Sequence, residues 1–307
     1  MPNKKCTYCS QEALYSREYE GVSLCSKCFR HSIEERVGRT VTKNQMLEYD
    51  DHIAVAVSGG KDSLTLLNLL VKLEERFPRS RITAISVDEG IESYRDEAIE
   101  LARKACARLD VRHVVVSYRE LFGTTIDEIG KIRLDQTPCS YCGVLRRKAI
   151  NKAATIAGAT KIATGHNLDD EVQTVLLNML HGDPFRILRS GPILQDPRGR
   201  FLTRIKPLCD VPEKEIVLYA YLTGTEFQSV PCPHGSEALR NDIRSFLNQL
   251  EQKHPGSKFT LQRTAERLRE LLVETAPVSV LNDCEKCGDP TSNRFCEACL
   301  MLQAIAT

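Results

Sequence analysis

From residue 53 to residue 180 the chain alternates short apolar runs with longer stretches whose apolar positions recur every three or four residues. Ile53 to Val57 (IAVAV) is apolar throughout, the pattern of a strand buried on both faces. After Gly59 and Gly60, Leu64, Leu67, Leu70 and Leu73 fall at helical spacing. RITAISVDE (81–89) predicts a second strand, YRDEAIELARKACARL (94–109) a second helix and VRHVVVS (111–117) a third strand. CGVLRRKAINKAATIAG (142–158) predicts a helix closed by Gly158, TKIATG (160–165) a fourth strand, and DDEVQTVLLNML (169–180) the helix after it. Strands alternating with helices imply right-handed crossovers, hence an α/β fold with a doubly wound parallel sheet. Such sheets bind ligands beyond the carboxyl ends of their strands, where the Ser58-Gly59-Gly60 and Thr164-Gly165-His166 turns both fall.

The pattern differs on either side. SIEERVGRTVTKNQML (32–47) is helical and leads into the alternating region. After Lys206 the chain is mainly helical: VPEKEIVLYAYLTG (211–224), with Pro212 at a first helical position and Glu213 and Glu215 in the first turn, then SEALRNDIRSFLNQLEQKHPG (236–256) and LQRTAERLRELLVE (261–274). These changes divide the chain into an N-terminal cysteine module (1–30), the α/β domain (31–206), a mainly helical region (207–280) and a C-terminal cysteine module (281–307).

Composition adds three points. With 42% hydrophobic and 27% charged residues in 307, the chain can bury an ordinary core. No apolar run reaches the roughly 18 residues of a membrane helix, and MPNKKCTYCSQEAL has no apolar signal core, so a cytoplasmic protein is expected. Net charge is only +1, but residues 131–206 hold 13 Lys and Arg against 6 Asp and Glu, while the rest hold 29 against 35. A basic middle that includes Arg147, Lys148, Lys152, Arg186, Arg189, Arg198, Arg200, Arg204 and Lys206 points to a localised anionic partner.

Thirteen cysteines without a secretory signal favour metal ligation over disulfides. Cys6, Cys9, Cys25 and Cys28 form one pair of C-x-x-C turns, and Cys284, Cys287, Cys296 and Cys299 form another. Each set supplies a complete tetrahedral thiolate shell, so both predict structural rather than catalytic zinc. Cys139 and Cys142, in TPCSYCGVLRRK, have no second pair nearby; Cys232 sits between two prolines in SVPCPHG. These three either ligate a metal centre with one position open or are a redox dithiol and a separate cysteine. Cys106 lies in a helical run and is expected in the core; Cys209 is ambiguous. His166, His181 and His234 are expected to make local hydrogen bonds.

A strand followed by Ser-Gly-Gly and a helix leaves backbone N–H groups at the helix start, where they and the helix dipole favour phosphate. Lys61 adds a charge and Ser63 a hydroxyl. A Walker loop needs a glycine where this chain has Val55, and Ser or Thr where it has Asp62, so that class is excluded. SGGKDS resembles instead the pyrophosphate loop of the ATP pyrophosphatase (PP-loop) superfamily. With PCSYCGVLRRKAI, ATGHNLDDEVQT, HGDPFRILR, KPLCDVPEKEIVLYAYL and CEKCGDPTSNRFCEACL, the chain resembles, over nearly its whole length, the TtuA-like tRNA 2-thiouridine synthetases.

The resemblance implies ATP-dependent adenylation of a tRNA uridine at O2, followed by sulfur transfer at wobble position 34 or T-loop position 54. It implies ATP bound by Ala56, Val57, Ser58, Gly59, Gly60, Lys61, Asp62, Ser63, Asp88, Arg146, Gly165 and Asp170, with Asp170 as magnesium ligand or proton acceptor. It places a 4Fe-4S cluster on Cys139, Cys142 and Cys232, and makes these with Lys61 and Asp170 the catalytic set. The sulfur donor would be sulfide or a ubiquitin-like thiocarboxylate protein, the sulfur being held on the cluster or as a cysteine persulfide; family members are commonly homodimers. The alternatives are another adenylating PP-loop enzyme, of amidotransferase or lysidine type, and a non-catalytic zinc-ribbon RNA-binding protein.

Overall fold

The computed structural model describes residues 4–76, 79–188, 190–196, 199–235, 238–273 and 281–306. Arg189 and Arg198 lie outside them. The chain opens with a hairpin, β1 (Tyr15–Arg17) and β2 (Val22–Leu24), and a long helix, α1 (Ser26–Lys43). This helix starts six residues before the sequence pattern suggests, because Cys25 caps it: its sulfur accepts the Cys28 N–H.

The α/β region runs β3 (His52–Ala56), α2 (Lys61–Glu74), β4 (Arg81–Asp88), α3 (Tyr94–Arg108), β5 (Arg112–Ser117), two short helices α4 (Tyr118–Phe122) and α5 (Ile126–Ile129), α6 (Pro138–Ala157), β6 (Lys161–Ala163), α7 (Leu168–Leu180) and α8 (Phe185–Leu188). Then come β7 (Ile193–Leu194) and β8 (Thr203–Ile205), α9 (Glu213–Leu222), α10 (Ala238–Lys253) and α11 (Ser257–Val273). A second small hairpin, β9 (Asn282–Asp283) and β10 (Pro290–Thr291), precedes α12 (Glu297–Ala306).

The main sheet has the order β5-β4-β3-β6-β8-β7. All its pairings are parallel except β7 against β8, so the parallel sheet carries one antiparallel edge. Three residues in β8 and two in β7 are too few to show strand periodicity, so the sequence pattern misses both.

The strands alternate between two cores, which is why IAVAV is apolar throughout. Ile53 and Val55 enter one core with α1, α2, α3 and α9; Ala54 enters the other with α6 and α12. Buried leucines on α2 extend beyond the predicted stripe to Leu66 and Leu69, because α9 and α1 cover the side of α2 away from the sheet. Each fully buried leucine contributes about 1.5–3 kcal/mol. A third cluster joins Leu168 and Val172 of α7 to Ile243 and Leu247 of α10. Cys106 and Cys209 are both buried in the first core. Gly158 closes α6 with φ 74°. No described helix is long and apolar enough to cross a membrane.

Candidate active site

The order of the sheet reverses beside β3, so the turns that follow β3 and β6 open a crevice at their carboxyl ends. In the first turn, Gly59 has φ +83°, and a Cβ there would lie 2.4 Å from the Ala98 carbonyl oxygen. Its glycine is therefore required by packing on α3, as well as by any ligand. Ser58 N–H donates to Ser63 Oγ at 3.0 Å, and Ser63 Oγ donates to the Gly60 carbonyl at 3.0 Å, so the serines hold the turn closed on the start of α2. The Val57 N–H donates to Ile85 O at 2.8 Å and so belongs to the sheet; Ala56 ends β3. In the second turn, a Cβ on Gly165 would lie 3.0 Å from the backbone of Asp62 and Ser63. The close approach expected of Gly165 is thus made to the first turn.

Lys61 Nζ contacts Asp62 Oδ2 at 2.9 Å and Glu213 Oε1 at 2.8 Å. Glu213 in turn accepts from Arg244 Nη2 at 2.8 Å to each oxygen. Asn167 caps α7, exchanging hydrogen bonds with Asp170 and donating to Asp62 Oδ1 at 3.0 Å. Burial pushes the Asp170 carboxyl up to about 6; the Asn167 N–H opposes this, and the charges of Asp62 and Glu213 add to it. Its two neighbours have other partners: Asp169 pairs with buried Lys258 and accepts the Glu213 N–H, and Glu171 pairs with Lys206 at 2.6 Å. Asp170 is the one of the three left facing Asp62 and Glu213. Asp88, at the end of β4, accepts the Gly90 N–H at 2.8 Å.

Cys139 and Cys142 lie in the first turn of α6, which Thr137 caps and Pro138 begins. Cys139 Sγ donates to the His234 carbonyl at 2.7 Å, so the SVPCPHG loop lies directly over it. His234 Nε2 pairs with Asp127 at 2.7 Å, and His166 Nδ1 with Thr164 at 2.9 Å. Burial raises the Cys142 thiol; the Arg146 charge opposes this, and those of Glu89 and Cys232 add to it. Arg146 Nη2 donates to Cys142 Sγ at 3.1 Å and its Nε to Glu89 Oε1 at 2.6 Å. Cys232 lies in that loop and packs against the apolar cluster that holds Cys142, so one buried and two half-buried thiols fall in the same part of the fold. Their soft donor set suits a metal cluster, though their sulfurs are not gathered within 4.8 Å as those of the two four-cysteine groups are.

The same loop reaches the glycine turn. Gln228, four residues before Cys232, donates its N–H to the Gly59 carbonyl at 3.0 Å and its side chain to Tyr94 O at 2.7 Å. One loop therefore joins the cysteine pocket to the glycine turn at the carboxyl end of the sheet.

Eight further cysteines, all but the core residues Cys106 and Cys209, form two groups, each with its four sulfurs within 4.8 Å of one another, as a single tetrahedral ion requires. The N-terminal group is tied to the body by Arg17, whose Nε and Nη2 donate to Glu215 at 3.0 and 2.8 Å. At the C-terminal group, Lys148 donates to Cys287 Sγ at 3.2 Å and to Asp289.

Not all of the basic middle faces outward. Lys148, Arg200 and Lys206 make internal ion pairs, whereas Arg147, Lys152 and Arg186 are exposed. A cavity of about 830 Å³ lies between α1 and the far end of α2, lined by Thr40, Leu69, Leu73 and Arg76, away from the glycine turn. Glu89, Glu213 and Arg244, like Arg95, Asn167 and Gln228, are polar residues of the crevice whose roles sequence reasoning missed. Glu213 stood out only as a helix-start charge.

Residues 30–251 match the PP-loop domain family. The tRNA 2-thiolation protein NcsA of Haloferax volcanii is 36% identical, with 98% of this chain and 99% of that protein covered. The tRNA-5-methyluridine(54) 2-sulfurtransferase of Pyrococcus horikoshii is also 36% identical, over 96% of this chain and 92% of its own. The solved structure of the U34-tRNA thiolase NcsA from Methanococcus maripaludis, with its [4Fe-4S] cluster, superposes with a TM-score of 0.84 at 33% identity, covering 98% of this chain and 96% of that one.

Proposed function

The chain belongs to the PP-loop family of tRNA 2-thiolation proteins, and from that premise we propose that it is an ATP-dependent tRNA-uridine 2-sulfurtransferase. The observation that carries the reading is the 225–235 segment, which bonds the glycine turn through Gln228 and covers Cys139 through His234.

Uracil O2 is a poor leaving group. Attack of that oxygen on the α-phosphate of ATP forms an O–P bond and expels pyrophosphate. A sulfur nucleophile then adds at C2, AMP departs with the oxygen, and 2-thiouridine remains. The N–H groups at the start of α2 and the Ser58 and Ser63 hydroxyls cradle the departing phosphates. Lys61 leaves its carboxylate partners to neutralise charge at the α-phosphate. Asp88 lies at the end of β4, where the adenosine would sit. Asp170 holds magnesium or takes a proton; either role needs the ionised form. Arg146, held by Glu89 and Cys142 Sγ, would turn its guanidinium to phosphate.

Cys139, Cys142 and Cys232 would hold a 4Fe-4S cluster, which when bound offers one iron position open to a soft sulfur ligand. The two four-cysteine groups would hold structural zinc. Sulfur arrives as sulfide or as the thiocarboxylate of a ubiquitin-like protein, the location is cytoplasmic, and the active species is a homodimer. Both U34 and U54 enzymes resemble the chain, so the substrate is a uridine at one of these positions.

Anaerobically purified protein should convert uridine to 2-thiouridine in tRNA with ATP and sulfide, and nucleoside mass spectrometry with positional mapping would assign the base. Cys232→Ala should abolish the product. Full activity of iron-free wild type would overturn the cluster role, and a product lacking sulfur would point to another adenylating enzyme.

A further inference from the structure

Glu89 follows Asp88 at the end of β4 and is 2% exposed. A carboxylate this deeply buried needs partners, and it has two cations on opposite sides. Arg146 Nε donates to its Oε1 at 2.6 Å. Arg95 Nε meets its Oε2 at 2.6 Å, a charge contact rather than an aligned hydrogen bond.

Each arginine continues to a different half of the crevice. Arg95, on α3, donates to the Ser58 carbonyl at 3.0 Å and to the Val87 carbonyl, gripping the glycine turn and the end of β4. Arg146, on α6, donates to Cys142 Sγ at 3.1 Å. A continuous polar path therefore runs Cys142–Arg146–Glu89–Arg95–Ser58, with one carboxylate at its centre.

We propose that Glu89 is a positioning residue that couples occupancy of the nucleotide turn to the state of the cysteine pocket. The inference rests on the functional reading above. Its physics is a competition. Loading the pocket changes the charge on Cys142 Sγ, which changes how strongly Arg146 is drawn toward sulfur and away from Glu89. Glu89 then leans more or less on Arg95, and Arg95 fixes the carbonyl of a residue in the nucleotide turn. The effect must run equally in reverse, because coupling between two binding sites is reciprocal.

The test measures the affinity of the full chain for magnesium–ATP without the cluster and after anaerobic loading with iron and sulfide. Wild-type affinities should differ at least about fivefold between the two forms. In Glu89→Gln the ratio should fall to about one, with iron content and nucleotide binding each still measurable. If Glu89→Gln fails to fold by circular dichroism, Arg95→Lys takes its place: it leaves Glu89 paired with Arg146, shortens the reach to Ser58, and should lose the same coupling. Equal wild-type affinities, or a variant that keeps the wild-type ratio, would overturn the inference alone. Wild type that takes up no iron, or binds no nucleotide, would overturn the functional reading with it.

Discussion

The two four-cysteine modules share a ligand chemistry and join the body in contrasting ways. The N-terminal module sits on the α2–α9 core and is fastened by Arg17 to Glu215, which has no exposure at all. Tyr19 donates to the same carboxylate at 2.6 Å, and Arg36 lies 3.5 Å from it. The C-terminal module packs under α6 through Cys284, Cys296, Cys299 and Met301, and its polar ties are the partly exposed Lys148 and Arg200. Glu215 is two residues from Glu213, which holds Lys61; Lys148 is likewise two residues from Arg146, the partner of Cys142. Each module thus steadies the helix that presents one half of the chemistry, but one does so through a buried ion network and the other mainly through apolar contact.

That contrast sets the size of each expected effect. Glu215→Ala strands two buried arginines and should lower stability by about 3–5 kcal/mol, read from denaturant unfolding. A loss under 1 kcal/mol would show the network to be dispensable. Cys25→Ser should release one zinc equivalent and weaken magnesium–ATP binding, because α9 loses its brace. Cys287→Ser should also release one zinc, yet leave ATP affinity close to wild type; calorimetry on both variants checks this.

The pH profile gives a finer measure. The role proposed for Asp170 needs the ionised form, and its carboxyl is pushed up to about 6, so turnover should be full above that pH and fall as acid is added through it. Stability has the opposite sign: the folded form holds this proton more tightly than the unfolded chain, so acidification through the same range stabilises the fold. Arg17→Ala should move the acid limb by disturbing Glu213, one of the charges acting on Asp170, whereas Lys148→Ala should leave it in place. Lys148→Ala should also cost the least stability, about 0–1 kcal/mol.

Residues that are neighbours in sequence announced themselves. The glycine turn, the C-x-x-C pairs and the strand–helix alternation carry their chemistry in a few consecutive positions. Glu89, Glu213 and Arg244 do not: each gains its role from a partner on another element, 57, 152 or 31 residues away. The same limit hid the β7–β8 edge, whose strands are defined by pairing rather than by their own apolar pattern. Charge counting was right about the sign of the middle region but could not sort its residues: Lys206 and Arg200 neutralise carboxylates of the fold itself, whereas Arg147, Lys152 and Arg186 stay exposed.

Residue 165 rests against the main chain of Asp62 and Ser63 so closely that an added methyl group would lie 3.0 Å from it and push that main chain aside. The two loops are therefore in direct contact. Spreading the first to admit a triphosphate would press on the second, and Asp170 sits on the helix that second loop begins. The incoming substrate would in this way adjust the spacing to its own acid–base partner.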